Sequence, residues 1–451
     1  MKILRQTDTF VRLPFYILCH FVEKGEGKMR GWIGFGIGKS WKKMKEKIHH
    51  IERLEKINVL VGEEEKVLLH EVRHDELGKR IRSITFFITL LLSIILGATI
   101  GYVAGKAMSH VARENKTSIL VIAISLAVGI YIVHYVHMVI HELGHLVAGL
   151  LSGYGFISYR IGSFIWVKEN GRIRLKRYAL PGTAGEAMMM PPVKKQGTYP
   201  YLLYSYGGII ANFLVAILAM ILFLLLRPNH ELVVMFLVLF TLIGFFIGLY
   251  NVLPLQFTGT PTDGCTVRAM IEEGTNRDAF YSGLSCLGLL SQGKSWQDIP
   301  RSVFFLGNDV DYSNPLCSTL MLHQIQYYYD RLDFKMANKL SLKLGTYYSS
   351  LMPSLKLELI GERMFLELVG QNRKEVVEAY YTRSLRNYLT KSQYSLSHKR
   401  ICMAYEVLYE HNKEKAYEIY SEAMALAEQA PYKGDVFAEV RMLNYIRDCI
   451  M

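Results

Sequence analysis

The sequence has few cysteines, few prolines and few charged residues for its length. Its 451 residues include 6 cysteines and 12 prolines, and Asp, Glu, Lys and Arg together make up 20%. No CxxC spacing occurs, which argues against a zinc ribbon or a disulfide framework and indicates reduced thiols on a cytosolic face. Glycine and proline show no period, which excludes collagen-like and low-complexity chains. The 51% of hydrophobic residues excludes general disorder.

The charge that is present is mostly basic. The formal net charge of +12 at pH 7 is typical of proteins that meet either nucleic acid or an anionic membrane surface. Long uncharged stretches interrupt the basic segments, and this pattern favours the membrane. We therefore expect a lipid bilayer, and no nucleic acid, as the partner of the basic segments.

Four apolar stretches are long enough to cross a bilayer, which takes about 20 residues. They run approximately over Ser83–Gly105, Ser118–Leu151, Tyr201–Leu226 and Leu232–Leu255. Pro228 separates the third from the fourth and predicts a tight turn between antiparallel helices. The sequence therefore predicts a mainly α fold, with a polytopic bundle of about four transmembrane helices.

Lysine and arginine are concentrated at two places beside these stretches. The first eighty residues are rich in both, and so is the segment between residues 152 and 200, whereas the other two loops carry few. Cytosolic loops carry the excess of Lys and Arg. We therefore expect a multi-pass cell-membrane protein with both termini in the cytosol.

Composition divides the chain into three regions. Residues 1–80 are expected to form a basic cytosolic segment, residues 81–264 a membrane-embedded core, and residues 265–451 a cytosolic helical domain. Inside the core, residues 156–178 alternate in strand fashion around Asn170-Gly171, and this pattern predicts a juxtamembrane β-hairpin.

A weak repeat runs through the helical domain. Met336, Val376 and Ala416 are 40 residues apart in similar contexts. This spacing is typical of stacked helical hairpins of the tetratricopeptide kind. A concave surface that binds a protein partner and an ordinary helical domain both remain open.

The chemistry begins at the run His141-Glu142-Leu-Gly-His145. Two histidines four residues apart share one face of a helix, so both imidazoles can bind one Zn²⁺ ion. Glu142 then lies beside the metal and can accept a proton from the attacking water. The alternative is a pair of buried histidines bonded to neighbouring helices. Ionisable residues inside a membrane span are costly, which favours the functional interpretation.

His134 and His137 lie on the same helix, within about 60° of each other around its axis. Both are expected to face the bundle. His134 is about 10 Å along the axis from His141, which is too far to share its metal. A proton relay, water access or a second metal is one interpretation, and structural pairing inside the bundle is the other.

A catalytic zinc site needs a third protein ligand. In soluble zinc proteases it is commonly a Glu further along the chain, which offers Glu169 or Glu186. Asp263 is the better candidate, because it follows the last predicted span in the run Pro261-Thr-Asp-Gly264. A carboxylate there could meet the two histidines where the helix ends.

Together these motifs resemble the site-2 protease family, the intramembrane zinc metalloproteases that cut transmembrane segments of other proteins. The resemblance covers about Ser118–Gly264 and is that of a divergent bacterial-type member without a PDZ domain. It rests on HELGH in a membrane helix, Gly207-Gly208-Ile-Ile-Ala-Asn212, Asn251-x-x-Pro254, and Asp263-Gly264.

The resemblance implies one catalytic Zn²⁺ ion, held by His141, His145 and Asp263, with Glu142 as the general base. It also implies that Asn212 and Asn251 line the site and orient substrate or stabilise an oxyanion. The expected substrate is a membrane-anchored regulator or a membrane peptide precursor. A protein partner is expected at the helical domain.

A second class of function stays open, namely a non-proteolytic membrane scaffold or an inactive relative that recruits a partner. The intact HExxH motif favours the enzyme, since an inactive relative has no evident reason to keep Glu142. For the enzyme, an exposed edge of the 156–178 hairpin could pair with an extended substrate by strand addition. Proline at Ile173 or Leu175 would then reduce cleavage.

Overall fold

The structure is a computed structural model, and it describes part of the chain. The described residues are 59–77, 119–169, 171–178, 184–226, 231–254, 261–307, 309–391 and 395–448, with a few single residues between 91 and 106. The chain divides into two compact units, Met1–Val61 and Gly62–Met451. The first unit lies almost entirely outside the described residues, and the described helices and strands belong to the second.

Three apolar helices of the described chain could cross a membrane. They follow a short helix, α1 (Glu63–Leu77), and are α2 (Ile119–Leu151), α3 (Tyr201–Leu226) and α4 (Glu231–Val252). Each of the three is long and apolar enough to cross a bilayer, which confirms three of the four predicted spans. The remaining span, Ser83–Gly105, and the turn at Pro228 lie outside the described residues.

Glycine lets α2 and α3 approach each other closely. A Cβ atom on Gly144 would lie 2.4 Å from the carbonyl oxygen of Gly207, and one on Gly207 would lie 2.5 Å from that of Gly144. On another side of α2, Val133 is buried against Leu239 and Ile243 of α4. Small residues at such contacts are the usual means of packing membrane helices.

A four-stranded antiparallel sheet lies between α2 and α3 in the chain. Its strands are β1 (Gly155–Ile161), β2 (Phe164–Glu169), β3 (Arg172–Arg177) and β4 (Gly185–Met190), in the order β3-β2-β1-β4. The pairing of β2 with β3 confirms the predicted hairpin, and Gly171 has the positive φ of 77° that its turn requires. The sheet is larger than predicted, because β1 and β4 extend it on the other side.

The rest of the described chain is helical. After α5 (Asp263–Glu272) and α6 (Gly274–Ser291) come α7 (Pro315–Asp330), α8 (Phe334–Gly345), α9 (Pro353–Val369), α10 (Lys374–Tyr380), α11 (Arg383–Lys391), α12 (Leu396–Leu408), α13 (Lys413–Gln429) and α14 (Lys433–Asp448). We call α6 to α14 the helical region. The mainly α fold with a small antiparallel sheet is therefore confirmed.

One kind of turn recurs in the helical region at the predicted repeat spacing. Leu332, Asn372 and His411, about 40 residues apart, have φ values of 55°, 50° and 56°. Each stands directly before the N-cap residue of a helix, namely of α8, α10 and α13. The predicted repeat thus coincides with a recurring turn, while its assignment to the tetratricopeptide class stays a prediction.

α1 packs against the helical region. Leu68 is buried at the point where Gly345 leaves room for it, since a Cβ on Gly345 would lie 2.9 Å from a methyl group of Leu68. Glu65, which is also buried, pairs with Arg363 and accepts a hydrogen bond of 2.9 Å from the Tyr380 hydroxyl. The described end of the expected 1–80 segment therefore packs on the helical region, because α1 buries one face there.

Candidate metal centre

Three potential metal ligands meet where α2 approaches the start of α5. The Nε2 atoms of His141 and His145 are 3.3 Å apart, and Oδ2 of Asp263 lies 3.0 Å and 3.2 Å from them. These atoms form a group that could hold a metal ion. Tetrahedral zinc with bonds of about 2.0–2.2 Å separates its ligand atoms by about 3.3–3.6 Å, close to the 3.0–3.3 Å seen here. The spacing of the three donor atoms therefore fits zinc.

Local sequence explains how Asp263 reaches the histidines. Thr262 caps α5: its hydroxyl accepts a hydrogen bond from the amide of Cys265 and donates one of 2.6 Å to the carbonyl of Leu253. Gly264 lies so close to the end of α4 that a Cβ would be 2.0 Å from the carbonyl oxygen of Val252. The start of α5 is thereby fixed to the end of α4. A helix N-terminus also stabilises the Asp263 carboxylate.

Hydrogen bonds orient both imidazole rings for metal binding. Nδ1 of His145 donates to the carbonyl of Tyr204 at 2.8 Å, and Nδ1 of His141 lies 3.0 Å from the Asn212 amide. With Nδ1 protonated, Nε2 presents a lone pair, and for His141 this requires the oxygen of the Asn212 amide to face its Nδ1. Oδ2 of Asp263 is buried and faces both Nε2 atoms. A cation bound between the three atoms would satisfy all of them at once.

Asn212 links His141 to a further buried histidine. His137 is fully buried; its Nε2 donates to the carbonyl of Phe240 at 2.8 Å, and its Nδ1 lies 3.1 Å from the Asn212 amide. The structure places Oδ1 of Asn212 against Nδ1 of His137 and Nδ2 of Asn212 against Nδ1 of His141. With the side-chain amide turned by 180°, its nitrogen donates to a neutral His137 and its oxygen accepts from His141. Asn212 is fully buried and lies beside a candidate ligand, so it lines the site; its role in orienting a substrate or stabilising an oxyanion stays a prediction.

Gly208 keeps the metal position open. A Cβ on Gly208 would lie 2.6 Å from Nε2 of both His141 and His145. A glycine at this place leaves space in front of the two nitrogen atoms, where a bound ion would lie. The space, the donor atoms and their spacing all fit one zinc ion.

We expect Gly208→Ala to remove bound zinc while the protein stays folded, since the added methyl group would occupy the metal position. Metal analysis of the purified variant measures this. Gly129→Ala is the matched control on α2, because a Cβ there would lie 3.3 Å from a flexible methyl group of Leu239 and far from the ligands. Equal zinc contents in the two variants would contradict the position inferred for the ion.

Glu142 lies against β4. A Cβ on Gly185 would be 2.6 Å from Cγ of Glu142 and 2.9 Å from its Oε1. The carboxylate next to the metal ligands is therefore in van der Waals contact with the backbone of a strand, and only glycine at position 185 leaves room for it.

The other candidate ligands are held elsewhere. Glu169 pairs with Lys176 and lies 3.8 Å from Arg174, and Oε2 of Glu186 lies 3.6 Å from Nε of Arg160. Of the three carboxylates considered as third ligand, Asp263 is the one that the structure brings to the histidines.

Two further residues differ from expectation. Asn251 donates from its side chain to the carbonyl of Ile247 at 3.0 Å, a bond inside its own helix, and no described contact joins it to the two histidines. His134 lies on an exposed face of α2. His137, His141 and His145 are therefore buried in the bundle, and His134 lies outside it.

Several contributions to this centre have no clear signal in the sequence. The carbonyl of Tyr204 is a backbone group, which any residue type would supply. Gly208 resembles an ordinary helix-packing glycine, and Gly185 stands in a segment that predicts only a loop or an extended piece. No family model, no curated protein and no solved structure matches this chain.

Proposed function

We propose that this protein is an intramembrane zinc metalloendopeptidase of the site-2 protease type. The observation that carries the proposal is the convergence of His141, His145 and Asp263 at an apolar helix, with Glu142 beside them. Buried metal ligands next to a carboxylate base are the parts that metal-assisted peptide hydrolysis requires.

The residues of the chain divide the reaction between them. The two imidazoles and Asp263 would hold Zn²⁺, which supplies a Lewis acid and lowers the pKa of water that reaches it. Glu142 accepts the proton of the attacking water and passes it to the leaving amine. The contact between Glu142 and Gly185 holds the Glu142 carboxylate in position for this proton transfer.

The sheet order indicates where a substrate would bind. β3, which carries Ile173 and Leu175, is three strand spacings, or about 14 Å, from β4. β4 contacts Glu142, and its outer edge has no strand partner among the described residues. A peptide bond must leave its helix before it can be cut, and an extended segment can pair with such an edge. We therefore assign strand addition to β4 rather than to the β3 edge.

Part of the β4 edge is already covered. The Tyr204 hydroxyl of α3 donates to the carbonyl of Ala187 at 2.8 Å. Along this outer edge, the end at Gly185, beside Glu142, has no strand partner among the described residues, and its carbonyl has one long contact of 3.5 Å from a guanidinium nitrogen of Arg160. A bound strand would place its scissile bond there, between the sheet and the three ligands.

The centre lies near one end of its membrane helix. His145 is six residues, or about 9 Å, from the last residue of α2, Leu151. We place this end at the cytosolic face, since the basic residues between 152 and 200 follow it. The substrate is then a single-span regulator or peptide precursor that is cut near the cytosolic leaflet, and the helical region selects it.

We expect a metal chelator to stop cleavage of a single-span peptide by the detergent-solubilised protein, and added Zn²⁺ to restore it. The measurement is the amount of cleaved peptide before chelation, after it and after zinc addition. A scaffold would bind a partner through its helical region without cleaving, and its binding would survive chelation. Cleavage that persists without metal would contradict the proposal.

Cysteine labelling tests the orientation. Cys317 is unsuitable because it is buried, and burial raises the pKa of the Cys402 thiol to about 11, so that it reacts poorly. Glu414→Cys, at the exposed start of α13, provides an accessible thiol once the native cysteines are replaced by alanine.

We expect a membrane-impermeant maleimide to label the cysteine at position 414 only after the membrane is permeabilised. Asn229→Cys, at a position between α3 and α4 in the sequence, is the matched control and is expected to react in intact cells. Labelling of the first variant in intact cells would reverse the orientation and the side of product release.

A further inference from the structure

A cavity of about 320 Å³ lies between the sheet and the helical region. On the sheet side it is lined by Glu186 and Met188 of β4, and on the other side by residues of α7, α9 and α14. Small-molecule pockets span about 300–1,000 Å³. None of the three metal ligands lines the cavity, so it is distinct from the metal centre.

The wall of the cavity is strongly acidic. Five carboxylates line it, namely Glu186, Glu358, Glu362, Asp435 and Glu439, and no Lys or Arg is among the described lining residues. Two buried cations stand behind them: Arg400 lies 2.7 Å from Glu362 and 2.8 Å from Glu439, and Arg160 lies 3.6 Å from Glu186. His398 also lies 3.4 Å from Glu358, so the five acidic groups face two arginines and one histidine among the described residues. Burial raises the pKa of Glu439 to about 7, an effect that a cation in the cavity would oppose.

Three acceptor groups in this wall have no hydrogen-bond partner among the described residues. They are Oε2 of Glu362, Oε1 of Gln326 and Nδ1 of His323, and Glu362 is only 2% exposed. Burial lowers the pKa of His323 to about 4, so its ring is neutral and keeps one nitrogen as an acceptor. The oxygen atoms of Glu362 and Gln326 are therefore suited to a ligand that donates hydrogens, and so is Nδ1 of His323 in the tautomer that carries its proton on Nε2.

Aromatic side chains complete the wall. Trp296, Tyr178 and Tyr432 line the same cavity. Aromatic faces attract ammonium and guanidinium groups. Acidic charge, unpartnered acceptors and aromatic rings are the three features that such groups prefer, and they occur here together.

We propose that this cavity binds a small organic cation, whose ammonium or guanidinium group donates to Glu362, Gln326 and His323. The cation is either a free amine or the basic side chain of a peptide. This assignment does not depend on the proposed protease activity, because none of the metal ligands takes part in it.

The position of the cavity links its occupant to the metal centre. Glu186 lines the cavity and directly follows Gly185, the residue that contacts Glu142. Successive residues of a strand face opposite sides, so β4 separates the two sites by its own thickness. Tyr432, which also lines the cavity, is hydrogen-bonded to Ser158 of β1 at 2.8 Å. A bound cation would therefore lie at this junction, on the side of β4 opposite Glu142.

Titration calorimetry on the full-length detergent-solubilised protein tests the binding site. The probes are agmatine, for a free amine, and the terminally blocked tripeptide Gly-Lys-Gly, for a basic side chain. We expect saturable one-to-one binding of at least one probe, and the probe that binds identifies the source of the cation. 1,4-Butanediol, which lacks the charges, and sodium chloride at matched ionic strength are expected not to bind.

Two cavity variants and one surface variant complete the test. Glu358→Gln and Gln326→Leu keep the side-chain size, and each should weaken binding about tenfold or more. Glu422→Gln removes a carboxylate that pairs with Lys399 on the surface, and it should leave binding unchanged. Absence of saturable binding at millimolar probe, or equal affinities in all three variants, would overturn the proposal and leave the cavity to water.

Discussion

Glu142→Gln is expected to keep zinc bound and to lose about 10²-fold or more in cleavage rate, the contribution typical of a general base. Glutamine has nearly the shape of glutamate, so the contact with Gly185 survives. What disappears is the carboxylate that accepts the proton of the attacking water. The zinc content per chain and the rate of cleavage of a single-span peptide measure the two halves of this expectation.

Glu169→Gln is the matched control for this substitution. It removes a carboxylate from the sheet that pairs with Lys176 and does not reach the metal ligands. It should leave both zinc content and cleavage rate near those of the unmodified protein. A Glu142→Gln variant that still cleaves would show that the proton acceptor assigned here is wrong.

Asp263→Ala is expected to lose zinc as completely as His145→Ala, and cleavage with it, because two remaining ligands hold a catalytic metal poorly. The orphaned Nε2 atoms of His141 and His145 would be left 3.3 Å apart without the carboxylate between them. Metal analysis after dialysis measures the loss, and helix content by circular dichroism shows whether the fold is kept.

The two alternative carboxylates serve as controls for the third ligand. Glu169→Ala and Glu186→Ala should retain zinc, since both side chains pair with basic residues away from the histidines. If either variant lost zinc while Asp263→Ala kept it, the ligand set would be of the soluble-protease type. Asp263 would then not be the third ligand.

The parts of this structure that could be predicted from sequence are those with a local signature. The spacing of His141 and His145 places both on one helix face whatever surrounds it. The three described spans follow from length and hydropathy, and Gly171 marks a hairpin turn by itself. Asp263 is predicted from its position after the last span. The cap at Thr262 fixes the start of α5 to the end of α4, and this explains how Asp263 reaches the two histidines.

The parts that could not be predicted depend on distant contacts. β4 has the sequence Gly-Glu-Ala-Met-Met-Met, with no β-branched residue, and it forms a strand because it pairs with β1. Met189 of β4 packs where Gly149 leaves room on α2. The role of Asn212 depends on His137, which lies 75 residues earlier. Nothing local in the sequence distinguishes a residue that holds a ligand from one that touches a substrate.

The packing of α1 on the helical region determines whether the number of membrane crossings between them is even or odd. Two segments in contact lie on one side of a bilayer, so the chain between Leu77 and Asp263 has to cross it an even number of times. If α2, α3 and α4 each cross, as their length and composition allow, they supply an odd number, three. One more crossing is therefore expected before Ile119, in the interval where the sequence predicts the span Ser83–Gly105. The packing of α1 on the helical region thus predicts an even number of crossings between the two.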